Sequence, residues 1–312
     1  MRDAEDLTHI DVPLYARVAY AYYLGGLTQG EIAKRMRTSR QRINRILAKC
    51  LSLGIVEIHI HGESSMFLEQ ETSLANKYNL RSVRLVEETQ DEQEFFVSIG
   101  RAAARFMTET LQSGDVIGFS RGRTLSAMLE HLERLELDNL TATQLMGGWN
   151  HQAGGIGGDN IVMRFSEIIP SKVNMLYAPV LVNDEELRRG IMREPYFLRS
   201  YEVIQSCTVA MLGIAEIKNL SFPQIKQIRP YVPPEAVGEI CTRLFDKDGK
   251  ILKTKIDDRT LAIAPEDLCK IPLRVGVAGM TYKTEAILGA LRGQLINALI
   301  TDTAVAAKLL EA

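Results

Sequence analysis

The chain has 312 residues, 46% hydrophobic and 24% charged, the balance of an ordinary globular protein and length enough for about two domains. Disorder, collagen and a coiled-coil rod are excluded, and no apolar run reaches the ~18 residues that a membrane-spanning helix needs. The net charge of −2 argues against nucleic-acid binding, but its distribution points the other way. Residues 13–62 carry Arg17, Lys34, Arg35, Arg37, Arg40, Arg42, Arg45 and Lys49 against Glu31 and Glu57, a net +6, whereas residues 1–12 sum to −3 and residues 63–312 to −5. Such a basic block fits a DNA-binding module, or simply a solvated basic helix face. The acidic start MRDAEDLTHID has no apolar signal region. Cys50, Cys207, Cys241 and Cys269 are far apart with no C-x-x-C, as expected of free, mostly buried thiols in a reducing cytoplasm.

In chain order, Pro13 opens a first helix with Leu14, Val18, Ala21 and Tyr22 at helical spacing, and Gly25-Gly26 ends it. Thr28-Gln29-Gly30-Glu31 has the form of a capping box, and the short helix behind it turns Ile32, Ala33 and Met36 inward. Arg37-Thr38-Ser39 makes a turn, with Thr38 or Ser39 capping a third helix over about 40–51. There Ile43, Ile46, Leu47, Cys50 and Leu51 form one apolar face. Gln41, Arg42, Arg45 and Lys49 fall opposite, with Arg40 and Asn44 at the flanks. These side-chain types pair with base edges in the major groove. Residues 55–62 alternate like the strand of a wing. Together these features predict a winged helix-turn-helix domain over 1–62, with Thr28, Gln29, Arg40, Gln41, Arg42, Asn44 and Arg45 as its DNA-contacting set. His59 and His61 share a strand face, but no acid or cysteine cluster accompanies them, so no metal is expected.

From residue 66 strands and helices alternate. Helices are predicted over 67–78, 92–111, 125–136, 283–291 and 303–310. Strands are predicted over 82–86, 115–119, 142–146, 173–177, 207–212, 274–277 and 296–300. This pattern predicts a doubly wound α/β domain over 63–312, a parallel sheet covered on both faces, with ligands at the carboxyl ends of its strands. The loop Gly118-Phe119-Ser120-Arg121-Gly122-Arg123-Thr124 joins a strand to a helix. Its glycines, hydroxyls and arginines suit an anion at a helix N-terminus, or a plain turn. It is neither a Walker loop nor G-x-G-x-x-G. Residues 147–158 hold six glycines, so Gly148 and its neighbours admit close backbone approach to a ligand, or only flexibility. Trp149 could stack on a sugar, or serve as an apolar anchor. Phe245-Asp246-Lys247-Asp248-Gly249 reads as a hairpin turn. Lys283, opening a helix against its dipole, suggests an anionic partner or a solvated side chain.

The chain resembles the SorC family of bacterial sugar-responsive transcriptional regulators. The residues that carry the likeness are Leu27-Thr28-Gln29, Glu31-Ile32-Ala33, Arg42-Ile43-Asn44-Arg45-Ile46-Leu47, the spaced Gly118, Ser120, Gly122 and Thr124, Ala178-Pro179, and Phe245-Asp246 with Asp248-Gly249. The C-terminal stretch adds Lys283, Glu285-Ala286-Ile287, Ala290-Leu291-Arg292-Gly293, Ile296-Asn297 and Leu299-Ile300-Thr301-Asp302. The resemblance implies a large domain with the fold of sugar-phosphate isomerases and deaminases. That domain would bind a sugar or sugar phosphate and mediate assembly, commonly into tetramers; separately, at least a dimer is expected because one small reading head buries too little DNA surface, and no cofactor and no membrane partner are expected. It implies that the 118–124 loop and Lys283 hold a phosphate and Asp246 the sugar hydroxyls. Arg121 stands where an aromatic residue is common, and Met280 replaces one glycine of a pair. The leading expectation is a DNA-binding regulator of a carbohydrate-utilisation operon. The alternative is a sugar-phosphate isomerase or deaminase with a basic accessory segment, whose general base would be Asp246 or His151.

Overall fold

The capping residues read from the sequence set the ends of the N-terminal helices. In a computed structural model, which describes residues 11–58, 67–148, 158–218 and 229–312, α1 spans Val12–Tyr23, and the Asp11 side chain accepts the Leu14 amide at 3.0 Å. Helix α2 (Gln29–Arg35) carries the full capping box: Thr28 Oγ1 accepts the Glu31 amide at 3.3 Å, and Glu31 Oε2 accepts the Thr28 amide at 2.8 Å. Ser39 caps α3 (Arg40–Ser52) through the Arg42 amide at 3.2 Å. Val18, Ala19, Ile32, Ala33, Ile43, Ile46, Leu47 and Cys50 form the core of this unit. Tyr22, Met36 and Leu51, expected to face inward, are exposed instead. Each lies at the last turn or cap of its helix. Residues 55–58 form no strand: Ile55 and Val56 pack against the helices, and the Val56 amide donates to the Cys50 carbonyl at 3.1 Å. Residues 59–62, with His59 and His61, lie outside the described residues, as do Trp149 and His151.

The chain divides into two units, residues 1–65 and 66–312. In the second, seven strands pair in parallel: β1 (Ser82–Val86), β2 (Val116–Phe119), β3 (Thr141–Gln144), β4 (Lys172–Asn174), β5 (Val209–Gly213), β9 (Leu273–Val277) and β10 (Ala298–Asp302), in the order β1-β10-β9-β5-β2-β3-β4. Side chains alternate between faces with the two-residue strand period. Ile117, Phe119, Val209, Met211, Val275, Val277, Ala298 and Ile300 enter one core, shared with α5 (Glu92–Thr110), α6 (Arg123–His131) and α7 (Gly158–Ile168). Val83, Leu85, Ala210, Leu212 and Leu299 enter the other. That second core is shared with α4 (Leu68–Tyr78), α9 (Pro195–Gln205), α10 (Pro265–Lys270), α11 (Thr284–Arg292) and α12 (Thr303–Glu311), while α8 (Glu185–Arg193) precedes α9. The parallel sheet covered on both faces is thus the one the alternation predicted.

Some boundaries move. Helix α6 stops at His131, five residues before the expected Glu136, because Leu132 turns extended at φ −75° and ψ 128°. The last strand begins at Ala298 rather than Ile296, since Asn297 serves the turn before it, its Oδ1 accepting the Arg274 amide at 2.7 Å. A small antiparallel sheet of β6 (Ala215–Glu216), β7 (Gly238–Ile240) and β8 (Arg243–Phe245) was not predicted. It leaves the carboxyl end of β5 and leans on α11, where a Cβ at Gly238 would meet the Phe245 ring and Ala286.

Candidate effector site

From β2 the chain moves outward through β3 and β4, then returns to place β5 on the other side of β2. The crevice between β2 and β5, at their carboxyl ends, is therefore the topological switch point, where open parallel sheets bind ligands. Ser120 joins the two strand ends. Its amide donates to the Met211 carbonyl at 3.0 Å, and its Oγ accepts the Gly213 amide at 2.8 Å while donating to the Arg121 carbonyl at 3.4 Å. This seam leaves no room for a side chain at Gly213, whose Cβ would stand 2.5 Å from the Arg121 carbonyl oxygen. Gly122, at φ +151°, then caps α6 with no side-chain bond to its first amides. Those amides are the ready donors of an anion site.

The loop's other side chains divide their tasks. Thr124 is buried, and its hydroxyl donates to the Val277 carbonyl at 2.8 Å, tying α6 to the end of β9. Arg123 turns outward, with Nη1 2.5 Å from Glu92 Oε1 and the guanidinium 4.6 Å from the Phe96 ring centre. Arg121 turns inward: burial lowers its guanidinium from the ordinary value, against the pull of Glu239 and Cys241. Gly118 lies beneath the loop, where a Cβ would stand 2.4 Å from the Leu145 side chain.

Lys283 reaches the crevice from across it, from the turn before α11. Its Nζ donates to the Ile214 carbonyl, just past β5, at 3.0 Å. Burial first, and the nearby Arg123 second, push this ammonium down to about 8, against the attraction of Glu239, Glu216 and Glu92. The backbone leading to it is tightly held. A Cβ at Gly279 would stand 2.4 Å from Asp302 Oδ2, and the Met280 amide donates to that same oxygen at 2.6 Å. Met280 has φ +71°, a conformation that glycine adopts without strain and methionine does not.

Two other expected site residues sit differently. Asp246 closes a turn, its Oδ1 accepting the amides of Asp248 (3.0 Å) and Lys250 (2.9 Å). Its carbonyl lies against Gly289 in the middle of α11, six residues beyond Lys283, or roughly 9 Å of helix. Gly148 lies beyond β3, donating its amide to the Ala178 carbonyl at 2.8 Å and accepting from Val180 at 2.9 Å. The structure thus brings Ser120, Gly122 and Lys283 to the end of β5, with Arg121 and Arg123 on the same loop and Arg123 the cation near Lys283, and leaves Gly148 and Asp246 farther out. Two carboxylates at this crevice were missed, Glu216 and Glu239, both buried. Each is a lone acid inside an apolar run, Ile214-Ala215-Glu216-Ile217 and Val237-Gly238-Glu239-Ile240, and that is the signal by which they could have been found. A separate cavity of about 300 Å³, lined by Leu176, Tyr177, Ile191, Glu194, Tyr196 and Phe197, offers no cation to an anionic ligand.

In the N-terminal unit, α3 presents Arg40, Gln41, Arg42, Asn44 and Arg45 to the surface, opposite its buried face. Thr28 is exposed and Gln29 partly so. The polar side of this helix is the surface a major groove would meet.

A family profile described as "Putative sugar-binding domain" matches residues 63–311. The chain belongs to this family. The full-length sorbitol operon regulator SorC of Klebsiella pneumoniae has the same fold, with a TM-score of 0.73 and 25% identity over 96% of this chain and 99% of its own. The transcriptional regulator LsrR of Escherichia coli K12 is 29% identical over 95% of this chain and 93% of its own. The deoxyribonucleoside regulator of Bacillus subtilis 168 is 26% identical over 93% of this chain and 94% of its own. The family and the α/β fold that the SorC-like motifs implied are therefore those found. This sugar-binding family member is a transcriptional regulator and not an enzyme, which removes the isomerase alternative. No helix among the described residues is long and apolar enough to cross a membrane.

Proposed function

We propose that this regulator is a one-component sensor of the cytoplasm. Residues 1–62 bind operator DNA through the exposed face of α3, and residues 63–312 bind a sugar or sugar phosphate at the β2–β5 switch point and assemble the chain into a dimer or tetramer. The observation that carries the effector reading is the facing of Lys283 and the α6 N-terminus, which has no side-chain cap, across the end of β5. A phosphate there meets an ammonium and first-turn amides together. Gly118, Ser120, Gly122 and Thr124 shape the loop, Arg121 supplies a second cation, Arg123 sets the outer rim, and Gly148 and Asp246 bound the sugar end. The effector changes DNA affinity only by binding one arrangement of the assembled reading heads better than another. An oligomer suits DNA reading, because one small head buries too little surface for high specificity.

The DNA half is tested by selecting duplexes from a random pool with the full chain, then measuring the selected site with Arg42→Ala and Arg45→Ala. Each variant should weaken specific binding by about 1–3 kcal/mol if it reads a base, or flatten the salt dependence by about one if it holds a phosphate. Unchanged affinity and salt slope in both would refute α3 as the reading helix.

A further inference from the structure

Helix α8 lacks the burial that holds other helices of its domain. None of its residues is buried, and a helix this short does not persist in water on propensity alone. Its inner side is tied by Arg188, whose Nε donates to the Thr260 carbonyl at 2.8 Å, and by Ile191 and Met192, which pack at the edge of the core. The opposite side carries Glu186, Gly190 and Arg193, in line at the i, i+4, i+7 spacing of one helix face. All three are exposed. Gly190 stands mid-line with nothing within 4 Å of where a Cβ would be. Glycine weakens a helix interior, and no neighbour within the chain requires it here. The side chains of Glu186 and Arg193 enter no ion pair or hydrogen bond among the described residues, unlike Glu185 and Arg189, which pair at 3.5 Å. One flank of this line is apolar. Leu187 is 46% exposed, and one turn on, Ile191 lines the cavity that Tyr177 and Tyr196 share. Those two rings are 79% and 47% exposed residues with centres 5.8 Å apart. Exposed tyrosines and leucine beside a charged line make up a protein interface, an apolar centre with a polar rim.

We propose that α8 pairs with α8 of a second copy of this chain, antiparallel across a two-fold axis at Gly190, with Glu186 of each copy against Arg193 of the other. This rests on the assembly proposed above and names the surface that performs it. The charges select the occupant. Glu186 and Arg193 lie at opposite ends of α8, roughly 10 Å apart along its axis. An antiparallel copy sets opposite signs together at both ends, whereas a parallel copy sets like on like. A two-fold contact requires such a self-complementary surface. Gly190 falls at the crossing, where bare backbone lets the helices approach at the short end of the ~8–10 Å range. Alanine there still fits that range, and a large side chain does not. Leu187, Tyr177 and Tyr196 of both copies then flank the crossing and lose their exposure to water.

The test is sedimentation equilibrium of the full chain beside Glu186→Arg, Arg193→Glu and the double variant. Each single reversal should weaken the association by at least about tenfold, and step the mass down from tetramer to dimer or from dimer to monomer. The double variant restores opposite signs across the two-fold and should restore the parent mass. Charges that served only their own helix would give no such rescue. A parent oligomer that neither reversal weakens overturns the α8 pairing and leaves the assembly standing. A loss that the double variant does not recover overturns the antiparallel arrangement. A monomeric parent chain overturns both the pairing and the assembly. If a reversal fails to fold, Gly190→Cys decides, made together with Cys269→Ser because Cys269 is the exposed free thiol. Facing Cα atoms at a helix crossing lie within disulfide reach, so mild oxidation should give a covalent dimer that a reductant dissolves. No covalent dimer overturns the pairing.

Discussion

At the scale of single residues, the proposed effector crevice is held by close approaches that tolerate no added atom. A Cβ at Gly213 would press within 2.5 Å of a backbone carbonyl, so Gly213→Ala must part the ends of β2 and β5. The expected cost is about 1–3 kcal/mol of stability in denaturant unfolding, with weaker effector binding. Gly190 in α8 is the matched control, with nothing within 4 Å of its would-be Cβ; there alanine should stabilise by up to about 1 kcal/mol. In the proposed effector site, Lys283 would set the pH dependence of anion binding. Its ammonium titrates at about 8 against an ordinary 10.5. An anion beside it favours the protonated form and raises that value. Affinity for a phosphate-bearing ligand is then full below about 8 and falls as pH rises through it. Titrations of the full chain with inorganic phosphate from about pH 6 to about pH 10 should show this decline, and Lys283→Ala should flatten it. The stability sign is the opposite one. The unfolded chain binds the extra proton between the two values, so this group's contribution to stability rises with pH over that window.

At the scale of elements, legibility followed local chemistry. The capping box at Thr28 and Glu31, the Ser39 cap and the basic face of α3 could be read because each is a pattern within four residues, and short-range bonds set helix ends. The parallel strands could be read because β2, β5, β9 and β10 are short apolar runs between helical periods. The sheet β6-β7-β8 could not. Its strands are two or three residues long, β7 and β8 are buried throughout, and their turn uses Cys241 and Thr242 where Asn-Gly is the signal. The same elements carry Glu216 and Glu239, so the missed sheet and the missed carboxylates are one failure. Asp246 shows the opposite case. Its turn was plain in the sequence, and the structure spends its Oδ1 on that turn. The salt slope of operator binding belongs to this scale too, since under the proposed reading it counts the phosphates that α3 and its neighbours would neutralise.

At the scale of the whole molecule, the family match and the SorC-like fold fix a regulator, and its signal is proposed to enter at the carboxyl ends of β2 and β5. A ligand that binds the folded chain alone stabilises it by roughly 2.7 kcal/mol at 100 times its dissociation constant. The most direct test of the central claim is therefore thermal unfolding of the full chain against a panel of sugars, polyols and their phosphates, with Lys283→Ala run beside it. One anionic sugar derivative is expected to raise the transition temperature of the parent chain and to leave Lys283→Ala unmoved. A panel with no shift, or a shift that persists undiminished in Lys283→Ala, would contradict that claim.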